Sequence, residues 1–231
     1  MSTASVQPHP SPLAQAPSFF LRAARFILLH ELKVFLRAGL GATCGVRVVG
    51  EERVPRRGGL IVAPIHTSFA DPVVLQTYFP RRILYMMTDK YYNEPHLHPF
   101  LRFWGALVVK AQGLNKEAIR AATDALERGA VIGIFPEGAL SRDGLIHDAQ
   151  PGAAMIAQRA HVPILPVGFS GIERLMPPDT WRLHRAPIAI CFGEPLSPEG
   201  LTRDELTARL SQALRDVRAR ARQLLPRAAV H

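Results

Sequence analysis

At 231 residues, 48% of them hydrophobic, the chain can bury one full core, and its scattered 20 prolines and 17 glycines exclude a low-complexity repeat. Two widely separated cysteines, Cys44 and Cys191, exclude a disulfide framework and a cysteine zinc site, and fit a reducing, intracellular setting. The net charge of +9 sits at the ends: residues 1–57 carry eight Lys/Arg against three acids, residues 201–231 carry seven against three, and residues 58–200 carry thirteen of each.

A nucleic-acid enzyme would place that excess in its central cleft; basic ends around a neutral centre point instead to an anionic surface met by the termini. Residues 1–17, rich in Pro, Ser, Ala and Gln, read as a disordered leader. Residues 18–40 run without a proline. At about 100° per residue, Arg22, Arg25, His30, Lys33 and Arg37 share one side of a helix, and Phe20, Ile27, Leu28, Leu32, Val34 and Phe35 spread over the rest. The charges recur too often for a spanning helix, which needs about twenty mostly apolar residues. Two readings stand: an amphipathic helix in the membrane interface, aromatics toward lipid and arginines toward phosphates, or a helix packed on the domain.

Residues 41–231 read as one domain of alternating strands and helices. Gly59–Pro64 is a buried-strand run, and Asp71-Pro72 reads as a helix N-cap followed by proline. Arg82–Met87 is a second strand, His98–Trp104 a short helix, and Ala106–Val109 a third strand. Asn115 caps a helix that Gly129 ends, and Ala130–Phe135 is the next strand. Gly152–Ala160 is helical; Val162–Val167 reads as an edge-like strand because of its prolines. Pro187–Phe192 is the last strand, and Thr202-Arg203-Asp204-Glu205 is a capping box opening a helix through 224. Continuous apolar strands between helices predict an α/β domain with a twisted, mostly parallel central sheet covered by helices.

Two stretches carry chemistry. Ile65-His66-Thr67-Ser68-Phe69-Ala70-Asp71-Pro72 places an imidazole and a carboxylate five residues apart where a strand gives way to a helix. Phe135-Pro136-Glu137-Gly138 puts an acid beside a glycine at the end of another strand. A base, a group to orient it and a glycine-relieved acidic turn suit attack by a hydroxyl on an acyl group. The plainer readings are Asp71 capping its helix and Glu137 accepting backbone amides at a turn.

His66 to Asp71 resembles the HX4D box of the glycerolipid acyltransferases, typified by the 1-acylglycerol-3-phosphate acyltransferases. Phe135–Gly138 with Ser141 resembles their FPEG box, Trp104–Val109 their second box, and Val162–Val167 their proline-rich fourth box. All four stand in the family's order over residues 45–195. The resemblance implies that His66 takes the proton of an acceptor hydroxyl as it attacks a thioester. Asp71 then fixes the imidazole tautomer, with no acyl-enzyme. It implies substrate-binding roles for Glu137, Gly138 and Ser141. It also implies no metal and no bound cofactor, an acyl-CoA or acyl-carrier-protein donor, a lysolipid acceptor, and a peripheral place on the cytoplasmic face of a membrane, with no nucleic-acid partner.

This chain departs from the pattern. Ala139 and Leu140 stand where the FPEG box usually continues with Thr and Arg, and Lys110-Ala111 stands where the second box usually ends in arginine. Bidentate phosphate capture is what arginine does best. Lys110 and Arg142 are the nearest substitutes; otherwise the acceptor is a lysolipid or aminolipid without a terminal phosphomonoester. A thioester or lipid-ester hydrolase and a non-catalytic anionic-lipid or nucleic-acid binder are the alternatives from other classes. His96-x-His98 lacks a third metal ligand at a recognisable spacing. Trp181–Arg185 reads as a basic loop, and Arg209, Arg215, Arg218, Arg220 and Arg222 as a solvated helix face.

Overall fold

A computed structural model describes residues 19–88, 106–109, 116–141, 146–177, 180 and 182–226. The strands are β1 (Arg47–Val49), β2 (Leu60–Pro64), β3 (Ile83–Thr88), β4 (Ala106–Val109), β5 (Val131–Gly133), β6 (Ile164–Ser170) and β7 (Ala189–Phe192). The helices are α1 (Phe19–Cys44), α2 (Asp71–Tyr78), α3 (Lys116–Glu127), α4 (Gly152–Ala160), the single turn α5 (Ile172–Leu175) and α6 (Arg203–Gln223).

The strands form one seven-stranded sheet in the order β1-β7-β6-β2-β5-β3-β4. Every neighbouring pair is parallel except β6 and β7. All five residues of β2 are buried, which is why its sequence is uniformly apolar rather than alternating. The crossover through α2 runs from β2 toward β4, whereas those through α3 and α4 run back toward β1. Right-handed crossovers in opposite directions place α2 on one face and α3 and α4 on the other. The helix α6 packs on β6, β7 and α4, and α1 packs against α2.

Several expectations need correction. Val162–Val167 is no edge: β6 lies inside the sheet between β7 and β2. Its proline is tolerated because Pro166 sits just beyond the last β6–β7 pair, Val167 with Phe192. There its carbonyl still accepts from Gly193, 2.9 Å away, and no donor is needed in return. The strand expected over 130–135 is only Val131–Gly133, and β1 had no signal in its three residues. The capping box stands as read, with Thr202 accepting from the Glu205 amide and Glu205 reaching back to the Thr202 amide. The short helix expected over 98–104 lies outside the described residues.

Where it is described, the charged side of α1 is shared between the domain and solvent: Lys33 is half-buried and Arg37 exposed. Lys33 donates to the Phe79 carbonyl, and the Arg37 guanidinium lies 5.2 Å over the Tyr78 ring. Val34 and Phe35 are left exposed, Phe35 at 74%. No described helix is long and apolar enough to cross a membrane.

Candidate active site

The chain leaves β2 and β5 side by side, yet continues from them to opposite faces and in opposite directions along the sheet. In open α/β sheets this divergence opens a crevice at the carboxyl ends of the strands. His66 follows β2 there, and Glu137 follows β5.

The His66 loop is clamped to the β5 turn through its own backbone. The His66 amide donates to Glu137 Oε1 at 3.0 Å, and its carbonyl accepts from the Ser141 amide at 2.8 Å. The second Glu137 oxygen accepts from the His147 amide at 3.0 Å. Gly138 turns the chain at φ 76°, a left-handed conformation that glycine adopts without strain. Burial raises the Glu137 pKa; the amides of His147 and His66 oppose that shift.

Asp71 was expected to cap α2, but it is the first helical residue, and Ala70 holds the cap position without a side-chain bond. The carboxylate turns back into the preceding loop. Its Oδ2 accepts from the amides of Thr67 (2.7 Å) and Ser68 (2.8 Å) and meets His66 Nδ1 at 3.0 Å. Asp71 is fully buried, and its Oδ1 has no partner among the described residues. Burial raises its pKa, and hydrogen bonding and charge from His66 and the two amides work against that rise. An ionised Asp71 makes Nδ1 the protonated nitrogen of His66 and leaves the Nε2 lone pair free to accept a proton.

The His66 ring stacks on Phe135, centroids 3.9 Å apart, and Phe135 stacks in turn on Tyr85. The imidazole side chain stays 17% exposed, so an incoming substrate can reach it. The loop is also tied from a third side: Ser68 Oγ donates to the Met176 carbonyl at 2.6 Å.

A sequence model described as acyltransferase matches residues 45–170, which include His66, Asp71, Glu137, Gly138 and Ser141. The chain belongs to the acyltransferase family. A 1-acyl-sn-glycerol-3-phosphate acyltransferase of Bacillus subtilis is 25% identical over 164 residues, 70% of this chain and 78% of that protein. One from Saccharomyces cerevisiae is 27% identical over 187 residues, 77% of this chain but 58% of the longer yeast protein. The solved 1-acyl-sn-glycerophosphate acyltransferase PlsC of Thermotoga maritima superposes with a TM-score of 0.73 at 24% identity. It covers 86% of this chain and 82% of that one, a likeness of fold. This acyltransferase therefore has the α/β architecture expected of it.

Among the residues expected to form its site, His66 and Asp71 are in contact, and Glu137, Gly138 and Ser141 build the turn that holds them. Lys110 and Arg142 lie outside the described residues. Sequence reasoning assigned no role to the Phe135 ring or to the bond from Ser68 to Met176. It also placed Arg218 on a solvated face, whereas Arg218 is 3% exposed. The correction was legible in the spacing: Arg218 follows Leu214 by four residues, on the buried side of α6.

Proposed function

We propose that this acyltransferase moves a fatty acyl group from a thioester donor, acyl-CoA or acyl-carrier protein, to the hydroxyl of a lysolipid. The observation that carries the reading is the His66 Nδ1–Asp71 Oδ2 contact at 3.0 Å, on a ring stacked beside the Glu137 turn and still open to solvent. His66 Nε2 takes the proton as the acceptor oxygen attacks the thioester carbonyl carbon. The C–S bond breaks as the ester forms, and the proton passes to the departing thiolate. Asp71 stabilises the imidazolium in between. Glu137 orients the loop through two backbone amides rather than touching the ring.

Lysophosphatidate is the acceptor that the relatives' names suggest. The absence of arginine at Ala139 and Leu140 and after Lys110 favours weaker discrimination for a terminal phosphate. Membrane contact through the exposed Val34 and Phe35 of α1 fits a peripheral enzyme.

The test is a panel of lysolipids, with and without terminal phosphate, offered with acyl-CoA and with acyl-carrier protein. Thiol release and product mass are followed beside His66→Ala. Acylated lipid that depends on His66 supports the reading, whereas thiol release with no acylated lipid favours the hydrolase.

A further inference from the structure

Arg218 lies on α6, beyond the 45–170 span matched by the family model. Its Nη1 donates to the Phe169 carbonyl on β6, and its Nη2 lies 3.5 Å from Glu173 Oε1 on α5. Arg218 Nε and Glu173 Oε2 are buried without partners among the described residues. An apolar side chain of similar length would fill such a space at lower cost than a buried ion pair, so packing alone does not account for an arginine here.

Between Phe169 and Glu173 the chain turns at Gly171, and three residues beyond Glu173 comes Met176, whose carbonyl receives the Ser68 hydroxyl. The Ser68 amide in turn binds Asp71 Oδ2. The arginine thus grips the segment from which the catalytic loop hangs. Burial lowers the Arg218 pKa. Glu173 opposes that most, Arg222 adds to it, and the charges of Asp71 and Glu137 oppose it too.

We propose that Arg218 is a positioning residue for acyl transfer: it fixes the Phe169–Met176 segment beneath the Ser68–Asp71 loop and supplies buried positive charge that favours an ionised Asp71. The proposal rests on the reading of His66 and Asp71 as the reactive pair. Among the described residues, the titratable or charged groups around that pair are Glu137 from the β5 turn with His147 beside it, Tyr85 from β3 and Arg218 from α6.

The experiment compares full-length Arg218→Met, Arg218→Lys and Glu173→Gln with wild type, using the donor and lysolipid that give turnover in the panel above. Thermal stability is measured beside kcat and KM, and NMR of the His66 ring follows proton uptake by the His66–Asp71 pair. Arg218→Met is expected to lower kcat about 10-fold with KM within about 2-fold. Removing the cation also moves proton uptake roughly half a pH unit upward. Arg218→Lys, which keeps the charge, holds proton uptake near wild type. Glu173→Gln, which removes the neutralising carboxylate, moves it downward. A folded Arg218→Met with unchanged kcat and proton uptake overturns the proposal, as does a loss of kcat in which proton uptake stays put. If Arg218→Met does not fold, an unmoved midpoint in Glu173→Gln overturns it. Turnover persisting in His66→Ala would sink the functional reading instead.

Discussion

One oxygen of Asp71 does three things: Oδ2 holds His66 Nδ1 at 3.0 Å while accepting the amides of Thr67 and Ser68. The backbone that carries the histidine is therefore shaped by the same atom that orients its ring. Loop geometry and tautomer cannot be altered independently at this position.

Asp71→Asn follows directly. An amide in this place presents one acceptor instead of two and lets Nδ1 become the acceptor, which reverses the working tautomer of His66. Transfer is expected to fall by about 10³- to 10⁴-fold in kcat. His66→Ala should lose at least as much, and steady-state rates with unchanged circular dichroism check both. A loss below about 10-fold for either variant would remove the pair from the mechanism.

Glu137 makes stability depend on pH. Burial holds its folded pKa above the unfolded value, so between the two values the folded protein binds the extra proton. Its contribution is favourable below the unfolded pKa and is lost as pH rises through the folded one. Glu137→Gln should lose this slope. Melting curves from about pH 4 to 7 are expected to show wild type declining relative to the Gln variant as pH rises; parallel curves would contradict the assignment.

Two glycines should differ under the same substitution. Among the described residues a Cβ on Gly138 meets only Gln150 Cγ, at 3.7 Å, so Gly138→Ala is expected to suffer mainly backbone strain, about 1–2 kcal/mol. A Cβ on Gly171, φ 91°, would lie 2.0 Å from the Pro187 carbonyl oxygen. Gly171→Ala is expected to cost more than about 3 kcal/mol. Denaturant melts rank the two, and equal losses would contradict the geometry.

At the surface, Phe35 is the side chain to change. Phe35→Asp should weaken binding to anionic vesicles about 10-fold or more and leave melting temperature nearly unchanged, since the ring is 74% exposed. Vesicle sedimentation measures it. Unaltered binding would move the membrane contact away from this part of α1.

Much of the architecture could be read directly. The apolar runs at 60–64, 83–88 and 106–109 are strands because a parallel sheet covered on both faces needs uninterrupted hydrophobicity. The capping box marked the start of α6 because both of its bonds are local. Non-local relationships were not legible. The prolines of 162–167 suggested an edge, but the donor that Pro166 lacks falls where β7 has already left the ladder, a fact of register between strands distant in sequence. The stripe of Lys33 and Arg37 left both a lipid surface and the domain itself open, and its contacts with Phe79 and Tyr78 at the end of α2 are a tertiary fact.

The alternation of elements, the five-residue spacing of His66 and Asp71 and the glycine beside Glu137 can be read from the residues alone, because local sterics, hydrophobic period and short-range bonding govern them. That Glu137 holds the His66 backbone across 71 residues, that Phe135 supports its ring and that Arg218 is buried emerge from the folded chain. Such contacts depend on which strand ends become neighbours in the sheet. That order is settled by chain crossovers and long-range packing, which no short stretch of residues encodes.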